Sequence, residues 1–266
     1  MRLLLKRIIG QTFGRLTHSI DGRRVILIYH SIGDQGWAVT QDDFYSQIKW
    51  LSNNAKIVGL SELLHSKVTS EKLLISITFD DGYRSVYDSA FPIMSEFNCT
   101  GTVYVNSGWI SEKINRLSEG KEGHYPGESF MTWEQVIDLF NHNWNIGSHG
   151  VDHVDLRKVS DKEIKYQLSQ SKKDIESHLK TECKDFSYTW GSYTENLCNK
   201  VRDSGYQTAV SGQHGRLKSN SSLLSLPRID VRREYTESDF SSIVSGNWDF
   251  LGVIQNYRRT KIERIN

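Results

Sequence analysis

The chain has 266 residues, a formal net charge of +1, 37% hydrophobic and 24% charged residues. That length supports one large α/β domain or two small ones. The near-zero charge excludes the global basic field that gathers nucleic acid, so no nucleic-acid partner is expected. Three cysteines, Cys99, Cys183 and Cys198, are an odd number without C-x-x-C spacing. They argue against a disulfide framework and a cysteine-built zinc site, and they fit a reducing compartment.

Met1 to Gly10 is basic and apolar, but it lacks an uninterrupted apolar run and an Ala-x-Ala-like cleavage site. A secretory signal is therefore not expected, and the stretch is too short to span a bilayer. Leu4 and Ile8, flanked by Arg2, Lys6, Arg7 and Arg15, suit either a short amphipathic helix on a membrane surface or a helix docked on the domain. Residues 1–22 are set apart as this segment and 23–266 as the main domain. The expected location is the cytoplasm, with the inner membrane face as a variant.

Arg24 to His30 is a β-branched apolar run that reads as a buried strand. Thr40 with Asp43 opens a helix to about Leu51, with Phe44, Ile48 and Leu51 on one face. Ala55–Val58 is a short strand and Ser61–His65 a short helix. Ile75-Ser76-Ile77-Thr78-Phe79 is a second buried strand, and it ends in Asp80-Asp81-Gly82. A helix from Val86 to Phe97 contains Pro92, which predicts a kink or a restart. Thr100–Val105 is a strand. Ser107–Phe130 is long, irregular and glycine-rich, as functional lids or disordered excursions are. Thr132 with Gln135 forms a capping box for a helix to about Phe140. Asn145–Ser148 is a strand leading into His149. Ser160 with Glu163 starts a helix carrying Ile164, Leu168, Ile175 and Leu179. Phe186–Trp190 reads as a strand, Thr194–Ser204 as a helix stopped by Gly205, and Thr208–Ser211 and Leu223–Val231 as strands. From Glu237 the pattern is helical, fading into Arg258, Arg259, Lys261 and Arg264.

This alternation, with no linker and no repeat, predicts a single distorted (β/α) barrel with about seven or eight mostly parallel strands. In barrels the loops after the strands build the active site. His30, Asp80, Asp81, His149 and Trp190 each sit at the end of a predicted strand, so they could converge on one rim. The 7 Trp and 12 Tyr suit core packing and equally a sugar-binding cleft.

Two adjacent carboxylates at the end of a buried strand repel unless a cation or a shared proton relieves them. Ser148-His149-Gly150-Val151-Asp152-His153 offers two imidazoles that face one way if the stretch is a helical turn. Most such spacings are packing or surface pairs. With a strand-end aspartate they form a facial set that leaves positions open for water or substrate, which metal-assisted hydrolysis requires.

Thr78-Phe79-Asp80-Asp81-Gly82 followed by Ser148-His149-Gly150-Val151-Asp152-His153 resembles the first two motifs of the polysaccharide deacetylase family, carbohydrate esterase family 4 of the chitooligosaccharide deacetylase type. The resemblance runs from about Val25 to Val231 and includes Met131-Thr132-Trp133-Glu134-Gln135. It implies Asp80 as general base and Asp81, His149 and His153 as ligands of a divalent metal, with zinc the expected ion. It also implies hydrolysis of the acetamide of an N-acetylated glycan or glycolipid precursor in cell-surface polysaccharide synthesis. O-deacetylation, a small-amide hydrolase and a non-catalytic carbohydrate-binding relative are the alternatives.

Two departures stand out. The family's third motif, Arg-x-Pro-aromatic-Gly, is replaced by Phe186-Ser187-Tyr188-Thr189-Trp190-Gly191, nearer the Tyr-Pro-Tyr-Gly of relatives acting on poly-N-acetylglucosamine. Tyr188, Trp190 and Arg228 are then the candidate substrate-binding residues. Arg228 either replaces the missing arginine beside Asp80 or pairs with Asp230. The late Leu-x-x-His motif, source of the general acid, is absent, because no histidine follows His214. In the permuted poly-N-acetylglucosamine branch the acid comes from an early Tyr-His, which Tyr29-His30 matches, so His30 is the expected acid and His124 the reserve.

Overall fold

A computed structural model describes residues 3–14, 22–66 and 73–263. In chain order its elements are α1 (Leu3–Ile9), β1 (Arg24–Tyr29), α2 (Gln41–Asn54), β2 (Ala55–Ile57), α3 (Leu60–His65), β3 (Leu73–Phe79), α4 (Phe91–Glu96) and β4 (Thr102–Val105). There follow α5 (Trp133–Asn141), β5 (Asn145–Ser148), α6 (Asp161–Leu179), β6 (Asp185–Ser187), α7 (Glu195–Asp203), β7 (Thr208–His214), β8 (Leu226–Asp230), α8 (Glu237–Ser245) and α9 (Phe250–Glu263).

Every strand pairing is parallel. The order β1-β8-β7-β6-β5-β4-β3 closes on itself through β1–β3, from Arg24↔Leu74 to Tyr29↔Phe79. The result is a seven-stranded β/α barrel, with the short β2 paired to the first residues of β3 on the edge that β4 takes further along. The ring is irregular. β5 and β6 share a single register pair, Ser148↔Phe186, and β7 slips in register against β8.

β1 and β3 are buried at every position, as their Val-, Ile- and Leu-rich runs require of parallel strands covered on both sides. Each such side chain contributes about 1.5–3 kcal/mol when taken out of water. α2 packs Phe44, Ile48 and Leu51 onto this wall, with the Phe44 ring edge-on to Tyr29 at 5.2 Å. The caps read from the sequence are present: Thr40 accepts from Asp43 N, Ser160 accepts from Glu163 N, and Thr132 and Gln135 form the capping box of α5. Pro92 marks a restart, since a π-helical turn over Val86–Ala90 hands over to α4 there.

Two expectations change. The strand expected over Phe186–Trp190 ends at Ser187, because Thr189–Gly191 turns into a 3₁₀ turn with Trp190 at φ +60°. The Ser107–Phe130 segment is tied down. Ser118 N donates to Glu128 O at 2.7 Å, Phe130 N to Arg116 O at 2.8 Å, and Arg84 N to Ser129 O at 2.7 Å.

The described part of the N-terminal segment docks on the domain. Arg7 makes two hydrogen bonds to the Asp239 carboxylate, at 2.8 and 2.6 Å, and Lys6 lies over the Tyr235 and Trp248 rings. Leu4 and Ile8 stay exposed. Arg2, Arg15 and Arg264 lie outside the described residues. Among the described residues no helix is long and apolar enough to cross a membrane. All three cysteines are unpaired.

Candidate active site

The ends of β1, β3, β5 and β8, with two loops, enclose a cavity of about 500 Å³. Its wall includes His30, Asp80, Asp81, His149, His153, Trp190 and Arg228, so the structure gathers these candidates in one place.

The two aspartates separate because the backbone reverses between them. Asp80 continues the strand direction, its N–H donating to Tyr29 O at 3.0 Å. Asp81 and Gly82 are both left-handed, at φ +73° and +79°. A non-glycine residue there is strained by about 1–3 kcal/mol, as functional turns often are. The carboxylates therefore leave the strand end in different environments.

Asp80 is clamped. Arg228 Nη1 donates to its Oδ1 at 2.8 Å and Nη2 to its Oδ2 at 2.7 Å, while Ser187 Oγ donates to Oδ2 at 3.0 Å. Both partners of the ion pair are buried. Burial alone raises the pKa of Asp80, but the charge and hydrogen bonds of Arg228, together with the neighbouring His149 and His30, outweigh it, so the carboxyl stays well below the ordinary range and is ionised. All five N–H groups of Arg228 are engaged, the other contacts being Ser211 O, Thr78 Oγ1 and Ser187 Oγ. Arg228 thus has no donor left for a substrate, which corrects its place among the substrate-binding candidates. It fills the tethering place instead. The pairing with Asp230 does not form, because Asp230 accepts from Arg232 Nε at 2.7 Å.

Asp81 faces imidazoles. His149 Nε2 and His153 Nε2 each lie 3.5 Å from Asp81 Oδ1. The tautomers follow from the other ring nitrogens. His149 Nδ1 contacts Ser187 O at 2.8 Å and His153 Nδ1 contacts Glu122 O at 2.6 Å. A carbonyl only accepts, so each Nδ1 carries hydrogen and each Nε2 presents a lone pair in the neutral ring. Desolvation brings the pKa of His149 down to about 4. Asp81 Oδ1 is buried with no hydrogen-bond partner. Two lone pairs and a carboxylate oxygen facing one another without a proton leave a cation as the missing partner. Each Asp81–imidazole spacing matches the edge of a tetrahedron with bonds of about 2.1 Å, roughly 3.4 Å, while the group whose ligand atoms all lie within 4.8 Å of one another is Asp81, His124 and His153, without His149. The residues fit a divalent metal, with backbone carbonyls orienting both rings as outer partners do.

The helical turn expected over residues 149–153 is not there. Gly150 at φ +82° and His153 at φ +60° make a loop, and the loop, not helical spacing, aims both rings inward. Tyr188 is the second correction. It is buried outside the cavity, its hydroxyl donating to Leu224 O at 2.8 Å, because its side chain points into the core between Phe186 and Tyr193. Trp190 is 55% exposed on the cavity rim, its ring 5.6 Å from that of His153. Gly123 makes the close approach beneath it possible, since a Cβ there would stand 2.6 Å from Trp190 Cζ2.

His30 borders the cavity and a second cleft of about 380 Å³, which also share Tyr125, Asp230 and Arg232. His124, the reserve acid, is buried, with its pKa brought down to about 4 chiefly by desolvation. The neutral ring is therefore its favoured form near neutral pH. Sequence reasoning missed Ser187 and Asn106. Ser187 serves both halves of the site, its hydroxyl on Asp80 and its carbonyl on His149. Asn106 follows β4 and donates from Nδ2 to His149 O at 2.6 Å. The strand-end rule that found His30 would have found Asn106, had the end of β4 been separated from the irregular stretch after it.

A parallel barrel with a clamped carboxylate beside a candidate metal set, at the C-terminal ends of its strands, is the site of a hydrolase. Residues 67–209 match the family model described as polysaccharide deacetylase, and the chain belongs to that family. A Bacillus subtilis (strain 168) protein named as the polysaccharide deacetylase YxkH is 27% identical over 82% of this chain and 75% of its own length. The poly-beta-1,6-N-acetyl-D-glucosamine N-deacetylase of Staphylococcus aureus (strain MSSA476) is 28% identical over 81% of this chain and 73% of its own. The structure of IcaB from Ammonifex degensii superposes with a TM-score of 0.70 at 20% identity, over 86% of this chain and 98% of that one, a likeness of fold.

Proposed function

We propose that this chain is a metal-dependent N-deacetylase that removes acetyl groups from an N-acetylglucosamine polymer or its precursor. The observation that carries this is the division of the Asp80–Asp81 pair, one carboxylate clamped by Arg228 and the other with its Oδ1 unpartnered beside two imidazole lone pairs. The similarity to a poly-beta-1,6-N-acetyl-D-glucosamine N-deacetylase supports the substrate class. The adjoining cleft beyond His30 and Tyr125 supports a substrate longer than one sugar.

Asp81, His149 and His153 would hold the ion, with zinc the expected metal, and when bound it supplies Lewis-acid polarisation of the acetamide carbonyl. Asp80, ionised because Arg228 stands beside it, takes the proton of the attacking water. Arg228 and Ser187 fix which oxygen faces the cavity. Protonated His30, on the cavity wall, gives a proton to the departing amine, so that acetate and a free amino sugar leave. Trp190 and Tyr125 offer ring faces to the sugar. The exposed Leu4 and Ile8 on α1 support a peripheral contact with a membrane surface.

The test is acetate release by zinc-loaded protein from β-1,6-linked N-acetylglucosamine oligomers, chitooligosaccharides and acetylated xylan. Release from the β-1,6 oligomers is the expected result. Release from xylan alone means an O-acetyl esterase, and release from none refutes the enzyme reading.

A further inference from the structure

We propose that His124 is a further protein ligand of the metal site, bound through Nδ1 and delivered by the loop between β4 and α5. The proposal rests on the metal-site reading above and adds a residue to the Asp81, His149 and His153 set.

The tautomer of His124 is fixed by a chain of hydrogen bonds. Asn106 Nδ2 donates to His149 O at 2.6 Å, and a carbonyl only accepts, so the Asn106 amide has one possible orientation. Its Oδ1 then faces His124 Nε2 at 3.1 Å. An amide oxygen only accepts, so Nε2 carries the hydrogen and Nδ1 a bare lone pair. That Nδ1 is buried without a partner, on a side chain that is 2% exposed. A buried polar atom left so is costly and calls for a missing group.

The His124 ring stands beside that of His153, centroids 4.8 Å apart. Ligand atoms of Asp81, His124 and His153 all lie within 4.8 Å of one another. Opposite ligands of a six-coordinate ion with bonds near 2.1 Å stand about 4.2 Å apart, so atoms gathered this closely suit one ion, and His149 joins them through Asp81 Oδ1, 3.5 Å from its Nε2. The ring is held by packing, edge-on to Trp109 and to Phe130, each at 4.8 Å. The same loop supplies Glu122 O to His153 Nδ1, with Glu122 at φ +57° and Gly123 at φ +86° turning the chain. One loop thus orients one ligand and carries another. Four protein ligands leave open positions only in a five- or six-coordinate ion. The site therefore suits cobalt, nickel or iron(II) at least as well as tetrahedral zinc.

The experiment substitutes Co²⁺ and records proton NMR of the wild-type chain in H₂O and in D₂O. The remaining ring N–H groups of His149, His153 and His124 are hydrogen-bonded to Ser187 O, Glu122 O and Asn106 Oδ1, so they exchange slowly enough to be seen. Three strongly shifted exchangeable imidazole resonances are expected, and His124→Ala should lose one while its dissociation constant for Co²⁺, from chelator competition, rises at least about 10-fold. Two resonances in the wild type, both kept in His124→Ala at unchanged affinity, overturn the proposal and leave the three-ligand site standing. A wild-type chain that takes up no cobalt overturns the proposal together with the metal-site reading. The wild-type spectrum decides even if the variant fails to fold.

Discussion

Replacing Arg228 by Met keeps most of the side-chain length and removes every donor that reaches Asp80. In the native fold the Arg228–Asp80 contact is bidentate, at 2.8 and 2.7 Å, with both side chains buried. Removing one partner of such a pair strands the other charge and costs about 3–5 kcal/mol. At about 2–4 °C per kcal/mol for a chain of this size, the melting temperature should fall by roughly 6–20 °C. The Asp80 carboxyl, no longer held down by the guanidinium, should also rise in pKa. The acid limb of the kcat/KM profile, expected below the ordinary carboxylate range in the wild type, should move to higher pH. Combining Arg228→Met with Asp80→Asn removes the stranded charge. Urea unfolding of the four proteins, with chelator present throughout, should give a coupling of at least about 2 kcal/mol. Additivity within about 0.5 kcal/mol would falsify the view that Arg228 is there for Asp80.

His30→Ala should lower turnover by roughly 10²–10⁴-fold with unchanged metal content, and unchanged turnover would remove His30 from the acid role. Gly123→Ala puts a methyl group 2.6 Å from Trp190 Cζ2 at a residue with φ +86°. It should raise KM more than it lowers kcat and shift the tryptophan fluorescence; wild-type KM would mean the rim is not a sugar contact. His214 is buried with an unpartnered Nε2, and desolvation brings its pKa down to about 4. The unfolded chain takes up the proton near 6.5 and the native chain does not, so stability contributed by this group falls as the pH drops from about 6.5 to about 4, by about 3 kcal/mol in all. His214→Leu should flatten that part of the stability profile, and an unchanged slope there would place the acid sensitivity elsewhere.

Most of the barrel was legible because its strands are buried on both faces, and such strands read as near-continuous apolar runs. The polar residue after each run then falls on the rim by topology alone, which is how His30, Asp80, Asp81 and His149 were found. What the sequence hid depends on backbone turns. The His149–His153 spacing suggested a helix, yet a loop with left-handed Gly150 and His153 does the positioning. Phe186 to Trp190 looked like one strand, and the left-handed Trp190 turned Tyr188 into the core and itself to the rim. Arg228 sits two residues before Asp230, which invited a local ion pair. Only the closure of β8 onto β1 and the neighbouring β3 shows that its partner is Asp80. His124 was legible only as a reserve acid, because the metal-ligand role proposed for it depends on an amide orientation set by a carbonyl on another strand end.

The central claim is that two neighbouring aspartates have different work. Asp80→Asn and Asp81→Asn, purified in parallel, measure it directly through bound metal and acetate released per active chain. The expected result is that Asp80→Asn keeps its metal and loses turnover by about 10²-fold or more, while Asp81→Asn loses the metal itself. Metal lost from Asp80→Asn and kept by Asp81→Asn would reverse the roles and contradict the mechanism at its first step.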